Sequence, residues 1–276
     1  MRIIHRVSFN ETHNFEFASI VNKLNIEKIL TKLPGSGGNL VTILIEESNC
    51  HWPKIIEMAN LTKYVDIVET YFSDAEIRNS EWLRVIPIFE QGYPQPESHW
   101  PLKQSSYKLL CEKCCIRHQI GSIRIKKDPK LGKNSFMTLI WSGETFCTPE
   151  VIQEFRLLHA IGFEAWDVVI HKTGETSKIL HQLHASQIAS PGLIPDSNEM
   201  INHCSICGRE KYKSHVKGLM KISRDAINPD VDFILTNEWF GSGYIAYREL
   251  LVSNRIASLV LNKGWQGVRF KVVELT

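Results

Sequence analysis

The sequence lacks any apolar run long enough to cross a membrane. No stretch approaches the roughly 20 apolar residues of a spanning helix, and residues 1–6 do not provide the apolar core of a signal peptide. An excess of one charge is also absent, because 32 Lys and Arg are balanced by 30 Asp and Glu and the formal net charge is only +2. We therefore expect a cytoplasmic protein with no membrane partner and without the overall basic character of many nucleic-acid-binding domains.

Signatures of common hydrolases and deaminases are missing as well. The chain has no H-E-x-x-H motif and no H-x-E ahead of P-C-x-x-C. His171, His181 and His184 lie close in the sequence, and the last two would share one face if their segment were helical. A catalytic zinc site also needs an open position and a general base. A hydrolase that uses these histidines is therefore the weakest alternative, and we predict a non-enzymatic protein.

Two short cysteine motifs are the most informative features that are present. Residues 111–114 and 204–207 each have the C-x-x-C spacing with which a tight turn presents two thiolates to one metal ion. The predicted ligands of a single structural Zn²⁺ are Cys111, Cys114, Cys204 and Cys207. Four thiolates complete the tetrahedral coordination that zinc adopts in structural sites.

The distance between the motifs leaves other interpretations open. A compact zinc ribbon separates its pairs by about 15 to 20 residues, whereas here the segment 115–203 has to be a folded insertion whose ends meet at the metal. Loop closure costs only about 0.6 kcal/mol per doubling of length, and a structural zinc contributes roughly 10 kcal/mol or more. The alternatives are two unrelated cysteine pairs, or a disulfide or redox pair.

Residues beside the motifs are weaker ligand candidates. Gly208 follows the second motif, where a turn with positive φ is expected, and Cys115 occupies the equivalent place after the first. We expect Cys115 to be a packed side chain, and His118 and His203 to lie outside the coordination shell, because four thiolates already fill it.

Length and hydrophobic pattern predict an α+β protein of two domains. Residues 1–100 are predicted to form a small α/β domain, and residues 101–276 an α+β domain stapled by a zinc ribbon. The elements predicted for the first domain are strands over 1–9, 40–45 and 82–88 and helices over 15–33 and 53–72. The proline-rich stretch 92–97 is the predicted end of this domain.

The second domain is predicted to contain both short strands and helices. The predicted strands cover 119–126, 136–141, 165–170, 232–235 and 267–275. A helix is expected to begin at Pro149 with Thr148 as its N-cap. Residues 178–190 are predicted to be helical or irregular, and residues 244–261 to form an amphipathic helix that Gly264 ends.

The C-terminal quarter resembles a known family. Residues 204–209 (C-S-I-C-G-R), 230–233 (D-V-D-F), 239–240 (W-F) and the final helix with strand 267–275 are similar to the double-CXXCG-motif proteins first described in myxobacteria. That family includes cognate immunity proteins of contact-delivered toxins. The resemblance implies zinc binding by the four cysteines and an immunity or defence-associated function in which the protein captures a toxin.

Two further features bear on the partner. A basic turn follows the first cysteine motif, with Lys126, Lys127 and Lys130 near one another in the sequence, and a zinc-ribbon nucleic-acid-binding protein is the alternative function. Trp239 and Phe240 are candidates for a protein-binding surface, because aromatic side chains anchor interfaces. We therefore predict a non-enzymatic zinc-binding protein with a protein partner.

Overall fold

The computed structural model describes residues 1–35, 38–97, 105–194 and 201–276 and has the predicted α+β class. The helices are α1 (Phe15–Lys23), α2 (Trp52–Asn60), α3 (Asp74–Arg78), α4 (Pro149–Leu157) and α5 (Asn254–Lys263). The strands are β1 (Arg2–Asn10), β2 (Lys28–Lys32), β3 (Asn39–Glu46), β4 (Val65–Tyr71), β5 (Trp82–Pro87), β6 (Tyr107–Leu109), β7 (Arg117–Gln119), β8 (Arg124–Ile125), β9 (Phe136–Met137), β10 (Thr145–Cys147), β11 (Phe163–Ile170), β12 (Thr176–Ala185), β13 (Ile188–Ala189), β14 (Ile201–His203), β15 (Glu210–Tyr212), β16 (Met220–Ile222), β17 (Phe233–Thr236), β18 (Leu250–Ser253) and β19 (Val268–Leu275).

The chain forms two compact units that divide near residue 73. The first unit is Met1–Ser73 with Val216–Gly218, and the second is Asp74–His215 with Leu219–Thr276. The predicted boundary between residues 100 and 101 lies outside the described residues. β5 accounts for the earlier division, because it pairs with β18 and β19 from the C-terminal part of the chain.

The first unit is a four-stranded sheet with two helices. The strand order is β2-β3-β1-β4, and each neighbouring pair is antiparallel. With α1 after β1 and α2 after β3, this is the β-α-β-β-α-β order of ferredoxin-like units. Its core includes Val7, Phe9, Phe17, Val41, Ile43 and Ile55.

Both helices of this unit are shorter than predicted. α1 ends at Lys23, Asn25 has a left-handed backbone with φ 51°, and residues 28–32 form β2. Ile29 is 58% exposed, so its apolar spacing does not mark a buried helix face. α2 ends at Asn60, and residues 65–71 form β4. The predictions of helix over 24–33 and 61–72 are therefore wrong.

The second unit contains two larger sheets. Their strand orders are β8-β11-β12-β10-β9 and β13-β17-β18-β5-β19-β16. The strands predicted over 82–88, 165–170, 232–235 and 267–275 correspond to β5, β11, β17 and β19. Those predicted over 119–126 and 136–141 are replaced by the shorter β7, β8 and β9.

Two segments for which a helix was considered contain strands. Residues 178–190, predicted to be helical or irregular, lie mostly in β12 and β13. The helix predicted over 244–261 is confirmed only from residue 254, where α5 begins, because residues 250–253 form β18. Leu251 and Val252 in β18 are completely buried. A strand buried on both faces has a continuous apolar sequence, which periodicity alone does not distinguish from a helix.

The helix boundaries at residues 149 and 264 agree with the predictions. α4 begins at Pro149, and Thr148 precedes it with an extended backbone but makes no side-chain capping hydrogen bond. Gly264 ends α5 in the left-handed conformation, with φ 67°. Glycine adopts this conformation without the steric cost that a Cβ atom brings.

Asp232 links separate parts of the second unit. Its carboxylate accepts hydrogen bonds from Arg255 Nε and Nη2 (2.6 and 2.7 Å), Ser253 Oγ (2.7 Å) and the Ile161 N–H (2.9 Å). Burial by itself would raise the pKa of Asp232, but these donors together lower it. An ionised carboxylate therefore joins α5 to the turn before β11.

A second ion pair lies in the six-stranded sheet. Arg84 Nη2 in β5 is 2.5 Å from Glu249 Oε1, and the two side chains are only 4% and 7% exposed. Arg84 Nη1 also donates to the His215 carbonyl oxygen at 3.1 Å. Because both charges have been removed from water, each depends on the other for compensation.

Candidate metal centre

Each cysteine motif lies at the tip of its own two-stranded hairpin. β6 and β7 carry the first knuckle, residues 111–115, and β14 and β15 carry the second knuckle, residues 204–208. The hairpin ends close with equivalent hydrogen bonds, since the Cys111 N–H donates to the Ile116 carbonyl (3.3 Å) and the Cys204 N–H to the Arg209 carbonyl (2.9 Å). The two hairpins form separate sheets, so the predicted zinc ribbon is not confirmed.

The two knuckles have the same turn despite different residues at the turning point. The Cys115 N–H donates to the Cys111 carbonyl at 2.9 Å, and the Gly208 N–H donates to the Cys204 carbonyl at 2.8 Å. Gly208 has φ 69°, as the sequence predicts, and Cys115 has φ 57°. A left-handed backbone costs a non-glycine residue roughly 1–2 kcal/mol. The fold therefore imposes on Cys115 a conformation that glycine adopts freely.

The turns bring the four predicted ligands together. All four Sγ atoms lie within 4.8 Å of one another. The Sγ–Sγ distance is 3.7 Å between Cys111 and Cys204 and 3.6 Å between Cys114 and Cys207. A zinc ion at about 2.3 Å from four sulfurs requires a tetrahedron with edges of about 3.8 Å. The cysteine side chains have the arrangement and the chemistry that a tetrahedral thiolate site needs.

The same distances bear on the alternative interpretations. A disulfide has an S–S distance of about 2.05 Å, and all the cysteines are free. Contacts of 3.7 and 3.6 Å join one knuckle to the other, so the motifs are not two unrelated pairs. The fold brings together cysteines that are 93 residues apart in the chain, and the resulting cluster of four can hold a metal ion.

Backbone donors favour the thiolate form in the second knuckle. The N–H groups of Cys207 and Ile206 lower the pKa of Cys204 to about 6. The N–H of Arg209 is the main cause of a lowered pKa at Cys207. In the first knuckle, burial raises the pKa of Cys114 to about 12 and the Ile116 N–H acts against this rise. Metal binding requires thiolates, so the second knuckle is the better prepared half.

Lys211 is a buried cation beside the cluster that the sequence did not indicate. Its Nζ donates to the carbonyl oxygens of Cys114 (2.9 Å), Gly243 (2.7 Å) and Ile245 (3.1 Å). Burial lowers the pKa of Lys211, and the charges of the nearby cysteines oppose this effect only in part. A four-thiolate zinc centre carries a net charge of −2, which a neighbouring cation stabilises. In the sequence, Lys211 is indistinguishable from a surface lysine.

The weaker ligand candidates do not join this cluster. Cys115 is 1% exposed, and its Sγ donates to the Glu112 carbonyl at 3.4 Å. His118 and His203 are exposed. Within the described ranges, the four cysteines are the only group of three or more metal-ligating side chains close enough to share an ion.

The histidines considered for a hydrolase site are held apart. His181 and His184 lie in β12, where residues three apart point to opposite faces, so the prediction of one shared helix face is wrong. His184 stacks on Trp166 with ring centroids 3.9 Å apart, and His171 Nδ1 accepts a hydrogen bond from Arg124 Nε at 3.1 Å.

The basic turn borders a cleft of about 470 Å³. Lys126, Lys127 and Lys130 line it together with Tyr93. Tyr93 is in edge contact with Trp141, with centroids 5.1 Å apart, and Trp141 is 53% exposed. The cleft therefore combines lysine side chains with Tyr93, and Tyr93 connects it to the exposed Trp141.

Comparisons with known proteins do not extend this picture. The chain matches no protein-family model, and a search of curated proteins finds no match. The similarity to the double-CXXCG-motif proteins accordingly stays a prediction. Among the described residues, no helix has the length and apolar character required to span a membrane.

Proposed function

We propose that this protein is a non-enzymatic zinc protein in which one Zn²⁺ joins the two knuckles. The closed set of four Sγ atoms within 4.8 Å carries the proposal. Cys111, Cys114, Cys204 and Cys207 would hold the ion, which contributes folding free energy and no reaction. Four protein ligands leave no position for the water molecule or substrate that a catalytic zinc binds.

We further propose that the knuckles present a surface to a protein partner. Each hairpin exposes an apolar side chain next to its cysteines: Leu110, before Cys111, is 42% exposed, and Ile206, between Cys204 and Cys207, is 72% exposed. The C-terminal resemblance points to a toxin as the partner and to an immunity or defence-associated function. The metal would hold these side chains on rigid turns, which lowers the entropic cost of binding.

Affinity capture from the source organism, followed by mass spectrometry, tests the partner proposal. Wild-type protein and an Ile206→Asp variant are compared, and Leu157→Asp is the matched control because Leu157 is 65% exposed on α4. We expect one protein to be retained by the wild type and the control and lost with Ile206→Asp. Recovery of no protein, or equal recovery with all three, would count against a partner at the knuckles.

Single-stranded nucleic acid is the second candidate partner. Lys126 and Lys127 line a cleft with Tyr93, whose ring contacts the exposed Trp141. Lysines combined with aromatic rings are the means by which such sites contact phosphates and stack bases. Binding of a labelled oligonucleotide is measured over a range of salt concentrations. The affinity should fall with a log–log slope of about −0.7 per neutralised phosphate, and Trp141→Leu should weaken it. Absent or salt-insensitive binding removes this candidate.

A further inference from the structure

The second unit contains a cavity beside the first knuckle. Its volume is about 340 Å³, within the range of roughly 300–1,000 Å³ typical of small-molecule sites. Leu110 and Arg117 from the first hairpin, Gln182 from β12, and Trp239 and Arg248 from the segment before β18 all line it. A pocket of this size holds a ligand of small-molecule dimensions.

Arg248 is the unusual group in this cavity. Its guanidinium carbon lies 4.7 Å from the centre of the Trp239 ring. Its Nε atom is buried and has no hydrogen-bond partner among the described residues. Burial lowers the pKa of Arg248, and the charge of Glu238 acts against this. A buried donor without an acceptor is costly, so an anionic ligand group that accepts its hydrogen bond would be favoured.

The other polar side chains that line the cavity have hydrogen-bond partners or lack charge. Gln119 and Gln182 donate to each other through their side-chain amides at 2.7 Å in both directions. The Glu144 carboxylate accepts hydrogen bonds from the Tyr107 hydroxyl and from the Gly143 N–H at 3.1 Å. Burial lowers the pKa of His184, which favours its neutral form. Glu238, which is not among the residues that line the cavity, is the carboxylate whose charge acts on Arg248, and it leaves the Arg248 Nε without a hydrogen bond.

The remaining wall is apolar and suits a planar ligand. Leu183, Leu235 and Leu250 line the cavity, and Trp239 offers an aromatic face. We propose that this cavity binds a small organic anion with a planar apolar body, whose acidic group contacts Arg248 and whose body packs against Trp239 and the leucines. This site is separate from the four cysteines, so it stands whether or not the knuckles bind a protein.

A pair of fluorescent probes tests the proposal on the full-length protein. Anilinonaphthalene sulfonate is an aromatic anion, and phenylnaphthylamine has the same ring system without the sulfonate. We expect saturable binding of the anion at one site, with higher affinity than that of the neutral probe. Arg248→Met should lower the affinity for the anion by about tenfold or more, the usual consequence of losing a charged hydrogen bond. The affinity for the neutral probe should not change. Arg248→Lys should restore part of the affinity.

Matched variants separate the site from general effects. Arg156→Met removes an exposed guanidinium from α4 and should change neither probe. Trp239→Leu should weaken both probes, because it removes the aromatic wall. Retained binding of phenylnaphthylamine shows that the Arg248→Met protein still has a formed cavity. Equal anion affinity in wild type and Arg248→Met, or no saturable binding of either probe to the wild type, would overturn the proposal.

Discussion

Replacing Cys204 by serine should destabilise the second unit as a whole. In the proposed site, one metal ion would connect Cys111 to Cys204, which are 93 positions apart. For a cross-link that closes a loop of that size, the chain-entropy model assigns about 4.5 kcal/mol to the constraint. Typical domain stabilities are only about 5–15 kcal/mol. Loss of one thiolate releases both hairpins, so the free energy of unfolding should fall by at least the loop-closure contribution.

Thermal unfolding and elemental analysis measure this effect together. A unit of this size loses about 2–4 °C of melting temperature per kcal/mol, which gives a decrease of about 10–20 °C for Cys204→Ser. The wild type should contain one zinc ion per chain, and a chelator should reproduce the decrease. Cys115→Ser is the control, because Cys115 is buried outside the cluster and its loss should cost only about 1 kcal/mol.

Particular outcomes would refute this reasoning. If Cys204→Ser retained one zinc ion and its melting temperature, the four sulfurs would not form the metal site. If Cys115→Ser were as damaging as Cys204→Ser, the turn itself and not the metal would hold the knuckles together. Two zinc ions per chain would mean that the cysteines do not share one ion.

Three further predictions concern the stability of the fold. Asp232→Asn should lower the free energy of unfolding by about 3 kcal/mol at neutral pH. Because the folded pKa of Asp232 is lowered, the stability that its carboxylate contributes is complete above the unfolded pKa of about 3.9 and disappears as the pH falls through the folded pKa. Urea unfolding at several pH values measures this dependence. Glu249→Gln should cost about 3–5 kcal/mol by leaving Arg84 uncompensated, whereas the double variant Arg84→Met/Glu249→Leu should be nearly neutral in the same assay. Gly267→Ala should cost at least about 3 kcal/mol, because Gly267 has φ 93° and an added Cβ would lie 2.0 Å from the Phe136 carbonyl oxygen.

Each of these predictions has a control or a contradicting result. Asp230→Asn removes an exposed carboxylate and should not change stability. Equal losses of stability in Asp230→Asn and Asp232→Asn would mean that the hydrogen bonds of Asp232 do not stabilise the fold. A double variant at Arg84 and Glu249 as unstable as Glu249→Gln would mean that the pair itself contributes net stability. Gly174 also has a positive φ, 75°, but a Cβ added there would meet open space. Gly174→Ala should therefore lower the free energy of unfolding by only about 1–2 kcal/mol.

The sequence by itself determined the features that depend on local chemistry. The two C-x-x-C motifs identified the four cysteines, because this spacing lets a tight turn present two thiolates to one metal ion. Pro149 and Gly264 marked the start of α4 and the end of α5, since these residues restrict or permit particular φ values. Strand β19 was recognisable from its own alternation.

Only the tertiary structure decided the features that depend on long-range contacts. β5 joins strands from the C-terminal part of the chain, and β12 and β18 are strands although their apolar spacing also fits helices. Propensity is a weak local preference, and pairing with neighbouring strands overrides it. The burial of Lys211 and the partnerless Nε of Arg248 likewise arise from surroundings that distant segments create. No local pattern encodes these surroundings, because they exist only once the chain has folded.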